Sequence, residues 1–182
     1  MLTLAIIGAG PLGRWLAARA AEVGHTVFLE DVMPLNLRHA QEELREKLGP
    51  ATLPRVSFVA TIEDALRTAD LAIDCVPDEL ESKLEIFCLM DRMSPPRTVF
   101  ATPSTKLSIA DLASCTYRPE KCVAILRTAA SFTTAEHAES TLLPLAVTSK
   151  TTDATIDLLK DFWSHLGFTP TIELDSAEAN LI

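Results

Sequence analysis

Three glycines at a fixed spacing are the residues of this chain with the clearest chemical meaning. Gly8, Gly10 and Gly13 form a G-x-G-x-x-G pattern between the apolar run at 2–7 and a helical pattern. In such a loop the first glycine permits a tight turn, the second lets the backbone approach a pyrophosphate, and the third lets the helix pack closely. The first N–H groups of the helix then stabilise the phosphate charge. The pattern predicts a dinucleotide-binding loop.

Pro11 and Leu12 complete this loop, and both are expected to contact the dinucleotide. Pro11 has no N–H, so the loop offers one donor fewer to the pyrophosphate. A charge-assisted hydrogen bond contributes about 1.5–3 kcal/mol, so the affinity would fall without being lost. Proline also suits the first position of a helix. Weaker phosphate binding and a good helix start both stay open.

An acidic pair at the end of the second predicted strand indicates which dinucleotide binds. Asp31 follows the apolar run at 26–29 and lies 18 residues after Gly13. A carboxylate there accepts hydrogen bonds from the ribose hydroxyls and repels a 2′-phosphate, so NAD is predicted rather than NADP. Glu30 is the competing acid, but neighbouring residues of a strand point to opposite sides. A solvated strand end is the alternative for Asp31.

The composition is typical of one compact acidic domain that spans residues 1–182. The chain is 48% hydrophobic and carries a formal net charge of −9. A chain of this length can bury a sizeable core, whereas the negative charge disfavours nucleic acid as a partner. No apolar run has the length of a membrane span or the features of a signal peptide, so we expect a cytoplasmic protein. The four cysteines lack C-x-x-C pairing, and no metal site is expected.

Strand and helix patterns alternate along the chain. They predict an α/β fold, a Rossmann-type doubly wound, mostly parallel sheet with helices on both faces. Beyond the first two strands, further strands are predicted at 56–59, 71–77, 97–101, 121–126 and 142–147. Beyond the first helix, helices are predicted at 34–48, 61–66, 79–93 and from Thr151 or Thr152 to Leu166, with Thr61 and one of the two later threonines as N-caps. No repeat or linker interrupts the alternation.

Several segments beyond the glycine loop carry a family resemblance. They include Gly24-His25 before the second strand, the block Val76-Pro77-Asp78-Glu79-Leu80-Glu81-Ser82-Lys83, and Arg118-Pro119-Glu120-Lys121. With them the chain resembles, over about residues 2–175, the NAD-binding domain of the 3-hydroxyacyl-CoA dehydrogenase family. The resemblance implies that Val76 and Pro77 contact NAD, and that Asp78 and Lys83 lie near its nicotinamide half. An acid at a helix N-terminus and a solvated lysine are the alternatives for the last two.

The same resemblance suggests which residues hold the substrate. The family uses a serine and an asparagine to hold the substrate oxygen, and its serine lies in an Asn-Thr-Ser-Ser segment. The matching residues here are Pro103-Ser104-Thr105-Lys106, so Thr105 keeps a hydroxyl at the serine position. The neighbouring Ser104 is the alternative candidate. The other interpretation is a hydroxyl with a structural role, which bonds the backbone of its own loop. Asn180 is the remnant of the family asparagine.

The catalytic base is where the chain departs from the family. A histidine oriented by a glutamate takes the hydroxyl proton in the family, but Leu126 stands at the histidine position and cannot accept a proton. Losing a positioned general base typically costs about 10²–10⁴ in rate. His137, between Glu136 and Glu139, is the candidate substitute base. A solvated loop is the plainer interpretation of that segment.

The sequence after Asp175 also departs from the family, whose members continue into a helical domain that walls the acyl-CoA cleft and makes the dimer. We expect residues 1–182 to lack that domain, and it stays open whether a partner, such as a second copy in a homodimer, supplies the wall. Two functions follow. The first is an NAD-binding domain with little or no activity. The alternative is an active NAD-dependent dehydrogenase or reductase of an acyl-CoA or another small substrate.

Overall fold

The central β-sheet accounts for the apolar segments along the chain. The computed structural model describes residues 1–133 and 141–175. Within them, eight strands form one sheet: β1 (Thr3–Ile7), β2 (Thr26–Glu30), β3 (Val56–Val59), β4 (Leu71–Asp74), β5 (Val99–Pro103), β6 (Cys122–Ile125), β7 (Leu142–Val147) and β8 (Thr169–Leu174). Their order in the sheet is β3-β2-β1-β4-β5-β6-β7-β8. The pairs are parallel apart from β6 with β7.

Helices cover both faces of the sheet. In the described ranges they are α1 (Pro11–Glu22), α2 (Pro34–Lys47), α3 (Ile62–Leu66), α4 (Leu80–Met93), α5 (Ile109–Ala113), α6 (Ala129–Thr133) and α7 (Asp153–His165). Successive side chains of a strand point to opposite faces. On β1, Leu4 and Ile6 therefore join the core formed with α1, α2, α6 and α7, whereas Ala5 and Ile7 join the core formed with α3, α4 and α5.

The order of the strands reverses beside β1, which lies between β2 and β4. Ile7 at the end of β1 pairs with Glu30 on one side and with Asp74 on the other. The residues that follow these strands therefore meet at one edge of the sheet. In open α/β sheets the crevice at such a reversal, outside the carboxyl ends of the strands, is where ligands bind.

The predicted fold class is confirmed, and so are two predicted helix starts. Thr61 accepts a hydrogen bond from the N–H of Asp64 at the start of α3, and Thr152 accepts one from Thr155 at the start of α7. None of the helices in residues 1–133 and 141–175 has the length and apolar character needed to cross a membrane.

Three elements are absent from the sequence-based prediction. The helices α5 and α6 have five residues each, too few for a helical period to be visible. Ser108 caps α5 by accepting from Asp111 N, the same signal by which Thr61 predicts the equally short α3, so the cap would have found α5. The strand β8 contains Pro170, pairs with β7 alone, and leaves all six of its residues partly or fully exposed. Proline demotes an alternating segment as a strand candidate, although an edge strand tolerates it.

Candidate functional site

A cleft of about 690 Å³ lies at the reversal beside β1. Most of the residues predicted to bind the cofactor line it: Gly8, Gly10, Pro11, Leu12, Asp31, Val76, Pro77 and Asp78, together with Thr105. The sequence-based prediction missed Val32, Asn36, Cys75, Pro103, Lys106 and the segment 128–130, which line it as well. Pro103 is the last residue of β5, and the others follow the carboxyl ends of β2, β4, β5 and β6, so position at a carboxyl end is the signal that would have found them.

The three glycines of the loop have three different surroundings. Gly8 has φ +105°, a conformation that favours glycine, and its Cα faces the backbone of Cys75. A Cβ on Gly13 would overlap the carbonyl oxygen of Gly8, so the absence of a side chain lets α1 lie against the loop. A Cβ on Gly10 would meet nothing within 4 Å. Gly10 therefore leaves open the space that a phosphate would occupy.

The start of α1 faces the cleft. Gly10 is its N-cap and Pro11 its first residue, so the proline takes the position that its fixed φ suits. The first N–H groups of a helix have no partner within the helix. With Pro11 supplying none, Leu12 and Gly13 provide these donors at the end of α1 that carries the positive dipole. This end of the cleft is suited to a pyrophosphate.

Asp31 lies at the end of β2 and is only 8% exposed. Its Oδ2 accepts hydrogen bonds from Ala9 N at 2.9 Å and from Asn36 Nδ2 at 3.0 Å, and its Oδ1 accepts one from Met33 N at 2.8 Å. The alternative of a solvated strand end is wrong, because these bonds hold the carboxylate in the wall of the cleft. Asn36, in the first turn of α2, is a partner that the sequence-based prediction missed.

Glu30, the competing acid, does not line the cleft. It is buried, and burial together with the nearby charge of Asp31 raises the pKa of Glu30 to about 7. The two neighbouring acids thus have different surroundings, as the alternation of side chains along a strand requires. Of the two acids, Asp31 is the one that lines the cleft.

The end of β4 forms the opposite wall through Val76, Pro77 and Asp78. Oδ1 of Asp78 is buried and has no hydrogen-bond partner among the described residues. A buried acceptor without a donor costs about 1–3 kcal/mol, so a rotation of the Asp78 side chain that brought this atom to a donor in the cleft would relieve that cost. Hydroxyl and amide groups of a dinucleotide are donors of that kind.

Lys83 lies behind this wall rather than in it. Its side chain is 0% exposed and forms an ion pair with Asp74, at 3.1 Å from Nζ to Oδ2. The alternative of a solvated lysine is therefore wrong. Lys83 is not placed to contact NAD directly, because its ammonium donates to Asp74, to Thr102 and to the carbonyl oxygen of Val76.

Beyond β5, the two candidate hydroxyls have different positions. Thr105 is exposed and lines the cleft. Ser104 is 1% exposed, and its Oγ accepts the N–H groups of Lys106 and Leu107 at 3.2 and 3.0 Å. The interpretation of a hydroxyl that stabilises its own loop thus holds for Ser104, and Thr105 is the hydroxyl that a substrate can reach.

A second cavity, of about 330 Å³, adjoins the cleft at Thr105 and Lys106, which line both. Leu126, at the end of β6, lines this second cavity. No histidine of residues 1–133 and 141–175 lines either cavity: His25 is buried at the opposite edge of the sheet, and His39 and His165 are exposed. His137 and Asn180 lie outside the described residues.

Solved structures of known dehydrogenases share this fold. The (S)-3-hydroxybutyryl-CoA dehydrogenase from Ralstonia eutropha superposes with a TM-score of 0.83 and 20% identity, covering 97% of this chain and 65% of that chain. An NAD⁺-dependent dismutase, 5-formyl-3-hydroxy-2-methylpyridine 4-carboxylic acid 5-dehydrogenase, superposes with a TM-score of 0.80 and 24% identity, covering 100% of this chain and 62% of that chain. At these identities the likeness shows the fold.

Curated relatives are longer than this chain. A probable 3-hydroxybutyryl-CoA dehydrogenase from Bacillus subtilis is 28% identical over 131 aligned residues, with a coverage of 65% of this chain and 45% of that protein. The 3-hydroxyadipyl-CoA dehydrogenase from Escherichia coli is 32% identical over 132 residues, covering 65% of this chain and 28% of that protein. The chain thus spans less than half the length of these two relatives.

A family model matches the part of the chain that forms the sheet and the cleft. The model described as 3-hydroxyacyl-CoA dehydrogenase, NAD binding domain, matches residues 3–175, which is nearly the whole chain. That range contains the glycine loop, Asp31 and the wall formed after β4. The chain belongs to the family of 3-hydroxyacyl-CoA dehydrogenase NAD-binding domains, and its cofactor is NAD.

Proposed function

We propose that this chain holds NAD in the cleft beside β1 and that, by itself, it oxidises 3-hydroxyacyl-CoA substrates slowly or not at all. Leu126 carries this proposal. In the family the residue at this position takes the hydroxyl proton of the substrate, and an alkyl side chain cannot do so. Bound NAD would accept the hydride from the substrate carbon. The hydroxyl proton, which the substrate must also lose, then has no base to accept it at the family position.

The surroundings of Leu126 support this proposal. Its side chain packs against the apolar core that contains Phe100 and Cys122, and its N–H donates to Pro144 O at 2.9 Å. A general base must lie within hydrogen-bond reach of the proton that it takes. The ionisable side chains that line the cleft are those of Asp31, Asp78, Cys75 and Lys106, and the second cavity, which Leu126 lines, adds those of Asp111, Glu173 and Asp175. Asp31 and Asp78 belong to the walls proposed to bind NAD.

A second candidate function rests on Thr105 and Lys106. Because both residues line the cleft and the second cavity, a small substrate in the second cavity would reach both side chains. Thr105 would donate a hydrogen bond to the substrate oxygen, and the ammonium of Lys106 would supply the proton when a carbonyl is reduced. One relative is the 5-formyl-3-hydroxy-2-methylpyridine 4-carboxylate 5-dehydrogenase of Mesorhizobium japonicum, which is 26% identical over 93% of this chain. The substrate in its name is a small molecule with a formyl group. His137 remains a proposed substitute base.

A partner that completes the cleft is a further part of the proposal. Leu80 and Leu174 line the second cavity and are 45% and 46% exposed. In longer members of the family a helical wall lies beside the acyl-CoA, and a second copy of this chain in a homodimer would supply one here. The net charge of −9 disfavours nucleic acid as the partner.

The cysteines and the proposed substrates bear on the cellular location and pathway of the chain. All four cysteines are free thiols, as is usual in reducing compartments, which supports a cytoplasmic location. Acyl-CoA thioesters as substrates would place the chain in fatty acid metabolism.

Two measurements on the pure chain test these proposals. Calorimetric titration with NADH measures binding, and consumption of NADH in the presence of acetoacetyl-CoA measures reduction. We expect saturable binding of NADH and a reduction rate orders of magnitude below that of an active family member assayed in parallel. Rapid reduction by the unmodified chain contradicts the first proposal. If Thr105→Val or Lys106→Met then abolishes it while NADH binding is kept, the second proposal is supported.

A further inference from the structure

A buried cluster of polar side chains lies directly behind one wall of the cleft. We define the Lys83 cluster as Asp74 on β4, Lys83 on α4 and Thr102 on β5. Thr102 Oγ1 donates to Asp74 Oδ2 at 3.0 Å and accepts from Lys83 Nζ at 2.8 Å. The ammonium also donates to Asp74 Oδ2 at 3.1 Å and to Val76 O at 3.4 Å. The three N–H donors of Lys83 therefore have three acceptors.

The cluster holds the backbone that forms the wall. Asp74 Oδ1 accepts from Val76 N at 2.9 Å, so both polar backbone groups of Val76 are bonded to the cluster. Val76 lines the cleft, and so does Pro103, the residue next to Thr102. The cluster is thus bonded to the wall segment after β4 and lies directly before the wall residue that ends β5.

Stability alone does not account for the ion pair. Removing two charges from water costs several kcal/mol per ion, and apolar residues of similar volume in place of a buried pair are often neutral or stabilising. Burial raises the pKa of Asp74, which reflects this cost, and the Lys83 ammonium opposes that rise. The hydrogen bonds to Val76 are what an apolar replacement could not supply.

The position of the cluster identifies the half of the cofactor on which it acts. Asp31 at the end of β2 is placed for the adenosine ribose, and the loop after β1 is placed for the pyrophosphate. The strands β4 and β5 lie on the far side of β1 from β2. The nicotinamide half of a dinucleotide therefore lies against the wall that the Lys83 cluster supports.

We infer that Asp74, Lys83 and Thr102 are positioning residues for the nicotinamide half of NAD, which they act on through Val76 and Pro103 without touching it. This inference rests on the proposed binding of NAD in the cleft. It assigns Lys83 an indirect role, and it separates affinity for the nicotinamide half from affinity for the adenosine half.

A matched pair of substitutions tests the inference. Thr102→Val keeps the shape of the side chain and removes the hydroxyl, whereas Thr102→Ser keeps the hydroxyl. Calorimetry gives the dissociation constants of NADH and of ADP, which contains the adenosine and pyrophosphate but no nicotinamide half. We expect Thr102→Val to weaken NADH binding about threefold to tenfold, the equivalent of about one hydrogen bond, and to leave ADP binding unchanged. Thr102→Ser should resemble the unmodified chain for both ligands.

A double substitution separates positioning from folding. The double variant Asp74→Val/Lys83→Met removes both charges together, so we expect it to stay folded. Its melting temperature should lie above that of the single variant Lys83→Met, which leaves the buried carboxylate of Asp74 unpaired. Its NADH affinity should fall at least as far as that of Thr102→Val, again without loss of ADP binding. If the double variant does not fold, the Thr102 pair still decides the question.

The outcomes distinguish this inference from the proposed function. Failure of the unmodified chain to bind NADH and ADP rejects both. If the unmodified chain binds and Thr102→Val binds NADH equally well, only the inference fails. A parallel loss of NADH and ADP affinity also overturns it, because a general structural defect would affect both ligands alike.

Discussion

The backbone N–H of Ala9 donates a 2.9 Å hydrogen bond to Oδ2 of Asp31, which ties the glycine loop after β1 to the end of β2. Met33 N and Asn36 Nδ2 also donate to this carboxylate. A carboxylate offers about four lone-pair sites, and these three donors leave one, on Oδ1, for a ribose hydroxyl. Asp31 is thus both a wall residue and the residue that shapes the phosphate loop.

The first prediction concerns the choice between NADH and NADPH. Asp31→Ala should erase the preference for NADH, because the repulsion of a 2′-phosphate is lost. It should also destabilise the fold by about 1–3 kcal/mol, since buried donors lose their acceptor. Asp31→Asn removes the charge but keeps an acceptor, so it should lower the preference at a smaller cost in stability. Dissociation constants and melting temperatures check both effects. Equal affinities of the unmodified chain for NADH and NADPH would refute the assignment.

The second prediction separates two glycines of the loop. A Cβ at Gly10 meets nothing within 4 Å, and the backbone of Gly10 has φ −67° and ψ −174°, which any residue can adopt. Gly10→Val should therefore leave the melting temperature nearly unchanged and abolish NADH binding, because the side chain occupies the phosphate position. Gly13→Ala is the contrast, since its Cβ would overlap the carbonyl oxygen of Gly8, and it should unfold at a clearly lower temperature. Binding that survives in Gly10→Val means that the phosphate lies elsewhere.

The third prediction concerns Pro11, the first residue of α1. Pro11→Ala restores an N–H at a helix N-terminus that faces the cleft. We expect NADH to bind equally well or up to about tenfold more tightly, the equivalent of one hydrogen bond. The unfolding free energy should fall by about 0.4–1 kcal/mol, because alanine gives the unfolded chain more freedom. A marked loss of NADH affinity would show that proline is needed to shape the loop.

The fourth prediction is a dependence of stability on pH. Because burial and Asp31 raise the pKa of Glu30 to about 7, the folded state binds this proton more tightly than the unfolded state. The stabilisation is complete below the unfolded pKa, near 4.5, and is lost as the pH rises through about 7. Glu30→Gln imitates the protonated form. Relative to this variant, the unmodified chain should lose on the order of 1–2 kcal/mol between about pH 5 and about pH 8.

Denaturant unfolding at several pH values measures this difference. Glu46→Gln, at an exposed position on α2, is the matched control and should run parallel to the unmodified chain. If the unfolding free energy of Glu30→Gln and of the unmodified chain depends on pH in the same way, Glu30 keeps the same protonation state in the folded and the unfolded chain, and the prediction is wrong.

The fifth prediction concerns Leu126. Leu126→His restores the ring at the family position, but the resemblance implies that the base also needs an orienting glutamate and a helical wall. We expect no detectable gain in acetoacetyl-CoA reduction, with NADH binding unchanged. A gain of about 10² or more would show that the general base is the main missing part.

Much of the fold and half of the site were predictable from sequence because they depend on local patterns. The glycine spacing, the strand before it and the acid after β2 are features of neighbouring residues, and the caps Thr61 and Thr152 act within one helical turn. The strand β8 and the helix α6 were not predictable, since an edge strand with Pro170 and a helix of five residues carry little periodic signal. The equally short α5 carries a cap signal at Ser108 like that of Thr61 and could have been predicted from it.

The chain's sequence alone indicated the glycine loop, the acid that is predicted to select NAD, and Leu126 at the position of the family base. Only the tertiary structure decided that Lys83 is buried against Asp74, 9 residues away, and bonded to Thr102, 19 residues away. It also decided that Thr105 rather than Ser104 reaches the cleft, and that Asn36 supports Asp31. The physical reason is that burial and hydrogen-bond partners depend on how strands and helices pack, and a linear pattern of residue types does not contain those distances.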